Sequence, residues 1–160
     1  MIIDISEIIS SENKEMSREA AIEFTVFDAG LGAFEVLHAS PFTLSVANVG
    51  SKWLSIVGET EVTIALTCDR CLNQVPTDFS IEISKEINLE KFLAGDSEEL
   101  EEASYIIGTG LDVDKLIFGE ILVSWPMKVL CREDCKGICK RCGADLNLAP
   151  CQCQKTEPDP

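Results

Sequence analysis

The sequence predicts an α+β fold, with a mainly antiparallel β domain that carries one helix and ends in a cysteine-rich tail. Three observations lead to this prediction. Several segments alternate apolar and polar residues with a period of two, and one later segment changes to helical spacing. Most of the eight cysteines lie between residues 131 and 153. A chain of 160 residues is long enough for one core-forming domain with a small appendage.

The predicted strands are rich in β-branched and aromatic residues, which favour strands. Glycine-containing segments between them are typical of tight turns, and residues 57–62 are expected to form a further tight connection. The acidic, aperiodic stretch 93–104 is expected to be a solvated loop. The strands are predicted at 20–27, 41–50, 52–58, 61–68 and 79–90.

A helix of about three turns is predicted near 112–125, where apolar residues recur at helical spacing. Asp112 or Asp114 is suited to cap its start, and Pro126 cannot continue it. This helix leads into the segment that begins at Cys131. We therefore expect a β-rich domain over 1–130, a metal-binding tail over 131–153 and a disordered terminus over 154–160.

The charge pattern bears on the partners of the chain. A formal net charge of -15 works against sequence-independent binding of nucleic acid, because phosphate contacts depend on Lys and Arg. The body should therefore favour basic partners. A local basic cluster stands in the tail, where Lys136, Lys140 and Arg141 either offset the charge of a metal–thiolate centre or contact RNA phosphates.

The amino-terminal residues include Asp4, Glu7 and Glu12, which do not suit a secretory leader. The most apolar later segment, 116–127, is shorter than the roughly 20 residues that a membrane-spanning helix needs. We expect a soluble, cytoplasmic protein. Cytosolic thiols stay reduced, so paired cysteines there indicate metal or redox chemistry in preference to structural disulfides.

The cysteine spacing is typical of structural zinc sites, in which pairs of thiolates on tight turns complete a tetrahedron. Gly143 directly after one such pair allows a positive φ there. Eight cysteines divide into two groups of four, so one or two zinc ions are expected. The first group is Cys139, Cys142, Cys151 and Cys153, and the second is Cys68, Cys71, Cys131 and Cys135, which would fasten the tail to the β domain.

Two other functions remain open at this point. A thiol oxidoreductase would use Cys68 and Cys71, although a thioredoxin-like pair needs a helix start directly after it. The pair here is followed by Leu-Asn-Gln-Val-Pro and another strand. The other alternative is a generic zinc-stabilised interaction domain. The sequence has no glycine-rich phosphate loop and no nucleophile elbow, so no reaction is predicted.

Taken together, three motifs resemble a known family. They are CDRCL at 68–72, GTGLDVDKLIFGEILVSWPMKVLC at 108–131, and CREDCKGICKRCGADLN with a closing CQC. They are similar to the YceD-like large ribosomal RNA subunit accumulation proteins, in the variant with a cysteine-rich tail. The resemblance covers about residues 40–153. Lys140 stands where that family's tail shows proline, which changes the stiffness of the turn but none of the candidate ligands.

The resemblance implies a cytosolic, non-enzymatic factor that supports synthesis, processing or stability of the large-subunit ribosomal RNA. Its expected partners are a large-subunit ribosomal precursor, through rRNA or a basic ribosomal protein. No membrane and no small-molecule substrate is implied. Two modes stay open: the acidic body holds a basic ribosomal protein, or the basic tail contacts rRNA.

Overall fold

A computed structural model describes residues 1–28, 30, 32–139 and 142–148. Strands dominate it, and the helices are short except for the last. In chain order the elements are β1 (Ile2–Asp4), α1 (Ser6–Ser10), β2 (Glu15–Ala20), β3 (Val26–Asp28), β4 (Ala33–Ala39), β5 (Phe42–Val49), β6 (Trp53–Thr67), β7 (Gln74–Asn88), α2 (Leu89–Leu93), α3 (Ser97–Glu102), β8 (Ile106–Ile107), β9 (Gly110–Asp112) and α4 (Val113–Val123).

The strands form a large and a small sheet, and every pairing in them is antiparallel. The large sheet has the order β2-β5-β6-β4-β3, with β7 on the other side of β6, and the small sheet has the order β1-β9-β8. Strands β6 and β7 pair continuously from Trp53↔Asn88 to Thr67↔Gln74. This hairpin is the longest strand pairing of the large sheet, and Cys68 and Cys71 lie in its turn. The predicted mainly antiparallel β architecture is confirmed.

One face of the large sheet is buried and the other faces solvent. In β7, Phe79, Ile81 and Ile83 are buried and the residues between them are exposed, as the period of two predicts. Helix α4 covers the buried face through Leu116, Ile117 and Ile121. The core therefore lies between the sheet and α4.

An aromatic cluster anchors the chain where it leaves α4. Trp125 stacks on Phe27 with ring centroids 5.1 Å apart and on Phe79 at 5.8 Å. Such offset aromatic contacts add to the free energy gained by burying the rings. The chain that leads into the tail consequently starts from a fixed point on the β domain.

The predicted tight connection at 57–62 is wrong, because β6 runs unbroken through it. Gly58 there serves a close approach between strands and not a turn. A Cβ at this position would lie 3.1 Å from the Thr43 carbonyl oxygen and 3.2 Å from Leu44 Cδ1. Two predicted strands, 52–58 and 61–68, are thus one.

The boundaries of other elements also differ from those that the sequence predicts. The predicted strand 20–27 is divided between the end of β2 and β3, and β4 was not predicted. The predicted loop 93–104 contains helix α3, whose cap Asp96 accepts a hydrogen bond from the Glu99 amide at 3.1 Å. The sequence predicts a single helix, so the three short helices α1, α2 and α3 are a correction.

The helix predicted near 112–125 is present as α4. Asp112 is its cap and accepts a hydrogen bond from the Lys115 amide at 3.2 Å. Asp114 instead accepts from the amino terminus of Met1. Within the part of the chain that the structure describes, no helix is long and apolar enough to cross a membrane.

Candidate metal centre

Two loops that are distant in sequence bring four thiols together. Cys68 and Cys71 lie in the turn between β6 and β7, and Cys131 and Cys135 follow α4 by way of Trp125. All four Sγ atoms lie within 4.8 Å of one another. Three of these residues are buried and Cys131 is exposed as a whole residue, although its sulfur faces the other three.

The sulfur geometry fits one tetrahedral ion. Cys68 Sγ and Cys135 Sγ are 3.6 Å apart, and Cys71 Sγ and Cys131 Sγ are 3.5 Å apart. Thiolates about 2.3 Å from a zinc ion at the corners of a tetrahedron are separated by about 3.8 Å. A disulfide would need about 2.05 Å. The arrangement can therefore hold a metal ion.

The turn that carries the first pair is closed by backbone hydrogen bonds. The Cys68 amide donates to the Asn73 carbonyl at 2.8 Å, and the Leu72 amide donates to the Cys68 carbonyl at 3.0 Å. Leu72 has a φ of 63°, a left-handed conformation that is uncommon outside glycine. No helix begins after Cys71, so the setting expected for a thioredoxin-like pair is absent from this described turn.

The tail docks on this turn through hydrogen bonds of its own. Asp69 and Val129 are joined by two hydrogen bonds of 2.8 Å each. The Asp69 amide donates to the Val129 carbonyl, and the Val129 amide donates to Asp69 Oδ2. Arg70 Nη1 donates to the Cys135 carbonyl at 2.9 Å. Gly137 packs against Arg70, and a Cβ there would lie 3.2 Å from the Arg70 carbonyl oxygen. These contacts join the two ligand loops through groups other than the thiols.

The thiols differ in acidity. Backbone hydrogen bonds, from the Cys71 amide first, lower the pKa of Cys68 to about 6. The Asn147 side chain lowers the pKa of Cys135. Removal of its sulfur from water and the hydrogen bond with Cys71 raise the pKa of Cys131 to about 12. Metal ligation needs thiolates, and a bound cation supplies the charge that lets all four ionise.

Residues that the sequence alone did not single out orient the centre. Asn147 Nδ2 donates to Cys135 Sγ at 3.3 Å, and Asn147 Oδ1 accepts from the Lys136 amide at 2.9 Å. Asn73 Nδ2 donates to Asp145 Oδ2 at 2.7 Å. Such outer contacts fix the direction of metal ligands. The only sequence signal for them is the short polar side chain next to each cysteine loop.

The other predicted group of cysteines lies only partly within the described residues. Cys139 and Cys142 are described, the Gly143 amide donates to the Cys139 carbonyl at 2.9 Å, and Gly143 has the expected positive φ of 74°. Cys151 and Cys153 lie outside the described residues, so this ligand set stays a prediction.

The predicted basic cluster is likewise described only in part. Lys136 is exposed, while Lys140 and Arg141 lie outside the described residues. Lys128 and Arg132 are also exposed. Arg132 has an ion pair with Asp134, with 3.6 Å between Nε and Oδ1.

A comparison with known protein families bears on the role of this centre. The profile of the family described as "Large ribosomal RNA subunit accumulation protein YceD" matches residues 56–160. That range is more than half of the chain and includes all eight cysteines. The chain belongs to the YceD family. The description names an accumulation protein of the large ribosomal RNA subunit and no reaction.

Curated relatives support the YceD assignment. The chain is 29% identical over 134 residues to "Large ribosomal RNA subunit accumulation protein YCED homolog 1, chloroplastic" of Arabidopsis thaliana, which covers 68% of this chain and 42% of that protein. It is 22% identical over 100 residues to uncharacterised proteins of Mycobacterium tuberculosis and Mycobacterium bovis, covering 62% of this chain and 48% of each. The chain thus spans about half the length of these relatives. No solved structure matches it.

Proposed function

We propose that this YceD-family chain is a non-enzymatic factor in large-subunit biogenesis that holds a basic ribosomal protein on the exposed face of its large sheet. The observation that carries the proposal is the charge of that face. Holding such a protein until it joins its rRNA would support the accumulation of the large-subunit rRNA. The cytoplasm is the proposed compartment, because paired thiols stay reduced there.

The exposed face of the large sheet carries acidic residues on three of its strands, β2, β6 and β7, while β5 contributes none. Successive exposed residues and their cross-strand partners share one face, which follows from the register of β2, β5, β6 and β7. We call this surface the acidic face. Its carboxylates belong to Glu15, Glu19, Glu59, Glu61, Asp78, Glu82 and Glu86, all exposed.

Some carboxylates of the acidic face lie so close together that their repulsion opposes folding. Glu59 lies directly opposite Glu82 in the β6–β7 ladder, and like charges at such positions destabilise a sheet by up to about 1 kcal/mol. Glu59, Glu61 and Glu82 also line an open groove of about 500 Å³. A lysine- or arginine-rich partner would relieve this repulsion, whereas RNA phosphates would add to it.

We further propose that zinc occupies the Cys68, Cys71, Cys131 and Cys135 centre. Four thiols within 4.8 Å of one another support this proposal, because zinc takes four thiolate ligands in structural sites. The ion would fasten the tail of residues 131–153 to the domain of residues 1–130. A second zinc held by Cys139, Cys142, Cys151 and Cys153 would give the tail a zinc-ribbon-like fold.

A second mode has its own support, which is the exposure of Lys128, Arg132 and Lys136 beside the metal centre. In this mode the tail contacts rRNA while the acidic face points away. Its test is a salt titration of rRNA binding by the chain and by a variant with Lys136, Lys140 and Arg141 changed to Ala. The tail mode requires a smaller salt slope in the variant, and an unchanged slope would exclude it.

The proposed function is tested by replacing the chain in its host with charge-reversal variants. Glu59→Lys with Glu82→Lys should reduce the ratio of large- to small-subunit rRNA. Glu98→Lys with Glu101→Lys makes the same charge change on exposed residues of α3 and should leave the ratio unchanged. Equal effects of the two double variants would contradict the proposal.

A further inference from the structure

Strand β7 has one side on which no strand of the described residues pairs. Over its whole length it pairs with β6 on the opposite side, and no further pairing of β7 exists among the described residues. The register has no bulge along this strand. A long edge without a bulge presents unpaired backbone groups that can accept another strand.

The backbone groups at this open edge can be assigned from their hydrogen bonds. The Leu89 amide donates across the ladder to the Lys52 carbonyl at 2.9 Å, so odd-numbered residues face β6. The Asn88 amide points the other way and donates to Glu99 Oε1 at 2.7 Å. Because bonding direction alternates along an antiparallel strand, even-numbered residues direct their N–H and C=O groups to the open edge.

The open edge is bounded at both ends. Pro76 has no N–H to offer, and the Asn88 amide is already occupied by Glu99. Between them lies the stretch from Asp78 to Glu86, which at about 3.4 Å per residue spans about 27 Å. We call it the β7 edge.

The residues whose backbone faces the β7 edge also carry the acidic side chains. Asp78, Glu82 and Glu86 are exposed, as are Ser80 and Ser84 between them. The carboxylates recur every fourth residue, about 14 Å apart. The only lysine of β7, Lys85, is on the buried face, where it pairs with Glu120 of α4. Nothing basic on this strand therefore offsets the edge carboxylates.

The negative charge of the β7 edge indicates which kind of chain can bind there. A second copy of this chain adding its own β7 would place Asp78, Glu82 and Glu86 beside identical carboxylates, which is unfavourable. RNA offers no strand to pair and repels the same groups. An extended protein segment with lysine or arginine on alternate residues can form hydrogen bonds with the edge-facing backbone groups and ion pairs with the carboxylates.

We propose that the β7 edge binds an extended, lysine- or arginine-rich protein segment by adding it to the sheet as a further strand. This inference rests on the proposed function and specifies how the basic partner is held. Backbone hydrogen bonds give the segment its register, and Asp78, Glu82 and Glu86 select for positive charge.

The test uses the full chain and a capped synthetic peptide that alternates lysine and valine, with binding followed by calorimetry. Ser84→Pro removes an edge-facing N–H without touching the β6 ladder and should weaken binding by about tenfold or more. Ser84→Ala keeps the N–H and should bind as the parent does. Glu82→Gln with Glu86→Gln should weaken binding and flatten its salt dependence, unlike Glu98→Gln with Glu101→Gln.

A second arm does not depend on how the variants fold. Peptides N-methylated on alternate residues keep their charge and lose N–H donors, so one of the two methylation registers should abolish binding while the other retains it. Binding that responds to Glu82 and Glu86 but to neither Ser84→Pro nor N-methylation would overturn strand addition and leave the proposed function standing. Binding that is the same in both glutamine double variants would overturn the proposed function as well.

Discussion

Arg70 and Cys135 are joined by a hydrogen bond of 2.9 Å from the guanidinium Nη1 to the carbonyl oxygen. Arg70 lies between the first two thiols and Cys135 is the last of the four, so this contact links the two ligand loops directly. With the Asp69–Val129 pair of hydrogen bonds it prepares the centre for an ion. Preorganisation of this kind lowers the entropy that binding has to offset.

Arg70→Ala should loosen the tail. The loss of a charge-assisted hydrogen bond at a partly exposed site should lower the free energy of unfolding by about 1 kcal/mol, measured by urea denaturation. Arg132→Ala is the matched control, since the ion pair of Arg132 with Asp134 is local and exposed and should contribute little. Equal losses from the two variants would show that the Arg70 contact has no special role.

Asn147→Ala should weaken metal retention by about tenfold or more, the effect expected when an outer contact of a ligand is lost. The variant removes the hydrogen bonds to Cys135 Sγ and to the Lys136 amide. Asn147→Asp keeps the acceptor for Lys136 but puts a negative charge beside the thiolate, so it should retain the metal no better. Competition with a chromophoric chelator measures both, and parent-like retention in both variants would contradict the assignment.

Gly137→Ala should disturb the tail more than Gly143→Ala does. Both residues have a positive φ, 81° and 74°, so both substitutions cost backbone strain of about 1–2 kcal/mol. Only at Gly137 would the new Cβ press on the Arg70 carbonyl, while nothing lies within 4 Å at Gly143. We expect the rate of thiol alkylation during partial chelation to rise more in Gly137→Ala than in Gly143→Ala, both relative to the parent chain. The reverse order would rule out the close packing of Gly137 on Arg70.

Tyr105 gives the protein a defined loss of stability at high pH. Burial, and after it the charges of Glu120 and Glu102, raise the pKa of Tyr105 to about 12 from 10.0. A raised pKa means that the folded state keeps a proton that the unfolded state releases, so stability falls as pH rises from about 10 to 12. Tyr105 is the only tyrosine, so phenolate absorbance reports it alone, and Tyr105→Phe should flatten this part of the curve. A phenolate midpoint near pH 10 would contradict the burial of this side chain.

Much of the fold follows from local patterns in the sequence. The alternation of Phe79, Ile81 and Ile83 predicts β7 because a period of two places one face against a core. The period change at residue 112 predicts α4, and the Asp112 cap marks its start. These signals act within a few residues, so no tertiary contact is needed to interpret them.

The misplaced elements depend on contacts that the local pattern does not contain. A glycine in the stretch 57–62 favours a tight connection, yet Gly58 serves the approach of Thr43 and Leu44 from β5. The stretch 93–104 has no apolar period, and α3 forms there from its Asp96 cap. The grouping of Cys68, Cys71, Cys131 and Cys135 could be proposed from cysteine counts, but Asn147 and Arg70 could not, because their roles arise only once the tail folds back.

Native mass spectrometry with site-resolved thiol alkylation tests whether a zinc ion fastens the tail to the β domain through Cys68, Cys71, Cys131 and Cys135. We expect bound zinc, with these four thiols unreactive until a chelator is added and then readily alkylated. Metal-free protein in which Cys68 and Cys71 alkylate rapidly as purified would contradict this expectation, and would favour a thiol oxidoreductase instead.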